Sequence, residues 1–70
     1  MEDKDNLRGK LLEHELVQRL LRNPNWKPAA LAAVGFFVDG RKCPVQSWTK
    51  SSSWAQVQMA YKEILAEPNS

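Results

Sequence analysis

Seventy residues make one small domain, 1–70, with an apolar fraction of 43%, a charged fraction of 26% and a net charge of +2. Such a chain buries only about 60% of the surface its unfolded form exposes, so it has room for a single small core. The values argue against a disordered acidic or basic tail, and the one cysteine, Cys43, excludes an internal disulfide and a cysteine-rich zinc site.

Residues 1–6 read as a frayed polar leader, in which Asp3 or Asp5 can cap a helix. The first ten residues lack the apolar stretch of a secretory signal, and the run Ala29–Val34 is too short to span a bilayer. A soluble protein of a reducing cytoplasm is expected. From Leu7 to Arg22 strong helix formers predominate, and Leu12, Leu16 and Leu20 form one stripe at i, i+4, i+8. Leu7, Leu11, Val17 and Leu21 lie off that stripe and make the apolar arc unusually wide. A strip with Leu7, Leu11 and Leu21 left over would suit a homodimer through this helix. Asn23-Pro24-Asn25 ends the segment.

Pro28 suits the first turn of a short helix through Ala33. Val34–Val38, then Asp39-Gly40, then Arg41–Val45 reads as a β-hairpin, because Asp-Gly supplies the positive φ that a type I′ turn needs. That register sorts Val34, Phe36, Val38, Cys43 and Val45 inward, and Phe37, Lys42, Pro44 and Gln46 outward. Ser53, with Gln56 three residues later, fits a capping box for a last helix. Its core stripe is Trp54, Val57, Tyr61, Ile64 and Leu65, and Pro68 stops it, with 68–70 frayed. The expected fold is therefore α+β: a long N-terminal helix, a short irregular or helical piece, a hairpin and a C-terminal helix. The alternative is all-α and helix-turn-helix-like, with Pro44 opening a short helix through Val45 and Trp48.

Little here points to catalysis. His14 has no second histidine to share a metal, Cys43 falls on the inward set, and no phosphate-binding loop occurs. No catalytic residue, metal or cofactor is assigned, and a non-enzymatic binding module is expected. Its contact face would be the outer side of the hairpin: Phe37 and Trp48 as apolar anchors, with Arg41, Lys42, Gln46 and Lys50 around them. A protein partner, for an adaptor or regulator, is the leading reading. The alternative is nucleic acid, with the cations on phosphates and an aromatic ring stacked on a base.

Val38-Asp39-Gly40, Trp54-Ala55 and Tyr61-Lys62-Glu63-Ile64-Leu65 loosely resemble the final hairpin and helix of double-stranded RNA-binding domains, over less than half the chain. Ser51-Ser52-Ser53-Trp54 stands where that family has its lysine cluster, and no RNA-contacting residue is carried over.

Overall fold

The computed structural model describes residues 2–67 and is all-α. Four helices, α1 (Glu2–Glu13), α2 (Glu15–Leu21), α3 (Lys27–Asp39) and α4 (Ser52–Ala66), are joined by short links and one 3-10 turn, Gln46–Lys50. Among the described residues there is no strand, which overturns the expected hairpin and the α+β class. The all-α alternative is the one that fits, with the 3-10 turn following Pro44 and containing Trp48. The leader is helical from Glu2 onward, and Asp5 pairs with Arg8 one turn later at 3.3 Å instead of capping the helix. The Pro68 stop and the frayed 68–70 end lie outside the described residues.

The segment expected to be one helix from Leu7 to Arg22 is broken at His14, whose backbone is extended (φ −65°, ψ 139°). Geometry explains the break. At about 100° per residue, Leu11 and Leu20 would sit on opposite sides of a straight helix. Both are fully buried here, with Val17, in one core. The bend turns the two halves of a wide apolar arc toward the same interior, so the surplus leucines are absorbed within the chain. Leu11 is fully buried, and Leu7 and Leu21 are half-buried against the same core.

His14 closes the bend from both sides of its ring. Nδ1 accepts from the Leu16 N–H at 3.2 Å, which caps α2. The ring proton therefore resides on Nε2, which donates to Glu63 Oε1 on α4 at 3.1 Å. His14→Ala removes an N-cap and a tie between elements 49 residues apart, an expected loss of about 1–2 kcal/mol in urea denaturation. His14→Asn, whose amide oxygen can accept from the same N–H, should recover part of that loss.

α3 takes in both the short helix expected over 28–33 and the first expected strand. Pro28 lies in its first turn, and alanines, the best helix formers, carry it forward through Ala33. It stops at Gly40, which is left-handed (φ 72°) and whose N–H donates to Phe36 O at 3.1 Å. Positive φ at Gly40 is thus used as a helix C-cap instead of a hairpin turn. Asp39, a carboxylate at the end of a helix where the dipole disfavours it, is held by Arg8 of α1 and approached by Arg41 Nε at 3.7 Å.

α4 is capped by Ser51, whose Oγ accepts from the Trp54 N–H at 3.2 Å. Ser53, the expected cap, is buried, with its hydroxyl 2.9 Å from Ser51 Oγ. Trp54, Val57, Ala60 and Ile64 form the inner face of α4, and fully buried Ala30 and Ala33 contribute to the same core from α3. Small side chains at such a contact let two helices lie close. Leu65, expected in the core stripe, is 60% exposed. No helix among the described residues is long and apolar enough to cross a membrane.

Candidate interaction surface

The described residues contain no cluster of histidine, cysteine and carboxylate side chains that could hold a metal ion. Their most organised surface feature is aromatic, along the seam between α3 and α4. Phe37 stacks on Tyr61 with ring centroids 5.3 Å apart and leans on Trp54 at 6.0 Å. Phe36 meets Phe37 edge-on at 5.2 Å and lies 5.3 Å from the Trp54 ring. Trp54 is buried and Phe37 and Tyr61 are half-buried, but Phe36 is 41% exposed. Leu65 stands one turn beyond Tyr61 on the same helix face and extends the apolar strip.

The helix exchanges the roles expected for the two phenylalanines. Along α3 the 100° step puts Phe37 within about 60° of Ala30, Ala33 and Val34, whereas Phe36 lies about 120° from Ala30 and about 160° from Val34. Phe37, expected outward, is the inner ring, and Phe36, expected inward, is the outer one. Of the other inward candidates Val34 and Val38 are buried, Val45 is exposed, and Cys43 is half-buried with its thiol donating to Val45 O at 2.8 Å.

The remaining expected contact residues do not line one sheet face, because there is none. Arg41, Lys42, Gln46 and Lys50 are exposed, and Trp48 is half-buried against the core. Gln46 and Lys50 share the 3-10 turn, where with Ser47 and Thr49 they line a shallow open depression. Arg41 folds back on α3: its Cδ would lie 3.5 Å from a Cβ built on Gly35. Its chain therefore runs beside the residue that precedes Phe36. Trp26, at the start of α3, is 44% exposed and caps nothing with its side chain.

No family model, curated protein or solved structure matches this chain. The resemblance to double-stranded RNA-binding domains also loses its footing, since Val38-Asp39-Gly40 ends a helix here. Any functional reading therefore rests on the surface itself. Phe36, Tyr61 and Leu65 were not among the expected contact residues. The signal that could have found Phe36 and Tyr61 was the continuation of the Ala29–Ala33 helix through residue 39.

Proposed function

We propose that this chain is a non-enzymatic interaction module that binds a partner protein through the aromatic seam of α3 and α4, with Phe36 at its exposed centre. One observation carries the reading. Phe36 presents 41% of its surface while two further rings, Phe37 and Trp54, hold it from behind. A rigid, backed aromatic side chain loses little conformational freedom on binding, and such residues dominate the energetics of protein interfaces. Phe37, Tyr61 and Leu65 supply the adjoining apolar area. A reducing cytoplasm suits the single free thiol of Cys43.

The test uses the full chain as bait, native and Phe36→Ala, with and without nuclease. The native bait is expected to retain a partner that nuclease does not release, and Phe36→Ala to lose it while its helical circular dichroism is unchanged. Equal retention by the two baits would refute the reading. Release by nuclease would replace the protein partner with nucleic acid.

A further inference from the structure

The charges of this chain are segregated along its sequence. Between Glu15 and Glu63 the sequence holds a single acid, Asp39, against seven lysines and arginines. All seven of those cations are exposed, and Asp39 is taken by Arg8 and Arg41. The other acids lie before residue 16 or from Glu63 onward, and Glu63 is engaged by His14. Three of the cations belong to the stretches of chain that carry the seam. Arg41 packs its Cδ on α3 at Gly35, the residue before Phe36, Lys42 follows Arg41, and Lys62 follows Tyr61.

We infer that the occupant of the seam is an acidic segment of another protein that carries an aromatic or aliphatic anchor. This rests on the reading of the seam as a protein-binding surface and adds the chemistry of the partner. The anchor packs on Phe36, Phe37 and Tyr61, where burial of apolar area supplies affinity. Carboxylates on either side of it meet Arg41, Lys42 and Lys62, which speed encounter and fix register. A basic partner segment meets like charge at the same three positions and is rejected. Nucleic acid is the weaker fit. Three cations release few counterions, and the remaining four are distributed over α2 and its C-cap, the start of α3 and the 3-10 turn.

The experiment titrates isotope-labelled full chain, followed by amide NMR, with four probes in separate arms. These are a random copolymer of glutamate and tyrosine, polyglutamate, a random copolymer of lysine and tyrosine, and a single-stranded oligodeoxynucleotide. The glutamate–tyrosine copolymer is expected to shift the amides of residues 35–37, 41–42 and 61–62, and to bind at least about tenfold more tightly than polyglutamate. Phe36→Ala, and separately Arg41→Ala with Lys42→Ala, should each weaken it at least about tenfold at unchanged helicity. Equal binding of polyglutamate would overturn the inference, because charge alone would then suffice. Tighter binding of the oligonucleotide at the same amides would overturn it in favour of nucleic acid. Shifts at the seam that depend on the protein's own concentration would overturn it in favour of a second copy. If only the lysine–tyrosine copolymer moves the seam, the acidic partner is refuted and the protein-binding surface stands. If no copolymer moves it, both fall.

Discussion

Trp54→Ala is expected to remove about 3–5 kcal/mol, a large share of the stability of a chain this short. The indole is 95% removed from solvent, at the first turn of α4, where it contacts both phenylalanines of α3. Truncating a buried tryptophan costs about 3–5 kcal/mol, the lost transfer of its apolar surface plus the cavity left behind. A domain of this length has a total stability of about 4–10 kcal/mol. A urea midpoint far below that of the native chain is the result to look for. Trp54→Phe keeps a ring under Phe36 and Phe37 and should retain the fold with a smaller loss. A Trp54→Ala protein as stable as the native one would mean that α4 does not dock on α3 through this ring. The seam would then lose its floor, and Phe36 the surface that holds it outward.

The second large effect belongs to the bend. Leu20→Ala is expected to cost about 2–5 kcal/mol, because Leu20 is fully buried in the core that Leu11 and Val17 share. Leu65→Ala is the matched control. Its side chain is 60% exposed, so the same truncation should change stability by less than about 0.5 kcal/mol. Urea midpoints of the two variants, measured side by side, check both values. Equal costs would show that α2 is not packed as the bend at His14 requires.

Much of the helical content was legible in the residues themselves. The helix-forming run before Asn23, Pro28 at a helix start, Trp54, Val57 and Ile64 as an inner stripe, and the turn at Asn23–Asn25 all correspond to features of the structure. There the Asn25 N–H donates to Asn23 Oδ1 at 3.0 Å. What misled was local ambiguity in residues 34–45. Val34 and Val38 satisfy an alternating pattern and a helical i, i+4 pattern equally well. Phe36-Phe37 favours strands only where a sheet exists to receive it. Gly40 needs positive φ in a hairpin turn and in a left-handed helix cap alike, so the dipeptide Asp39-Gly40 could not choose between them. The choice is tertiary: α3 continues because Val34, Phe37 and Val38 all find neighbours in the core.

The proposed contact surface is legible only in part, for the same reason. An aromatic ring with Arg41 and Lys42 close in sequence can be read from residues 36–42, but which phenylalanine is exposed cannot. Reading residues 34–38 as strand puts Phe37 opposite the buried valines, whereas a helix puts it among them. The wide apolar arc of 7–21 was legible, but the bend that turns its two halves inward was not. Counting apolar residues on one straight cylinder leaves some over, and a bend at a histidine is not marked by glycine or proline. No composition rule announces a break where an imidazole supplies the cap.

That break makes residues 13–15 a rotary joint whose setting is counted in single residues. One residue inserted into the last turn of α1, after Leu12, would turn the preceding part of that helix by about 100° against α2 and carry Leu11 out of the interior toward water. Substitution within the joint is tolerable wherever the cap survives. A change in helix length beside it is not, because the two apolar faces would then no longer meet in one interior.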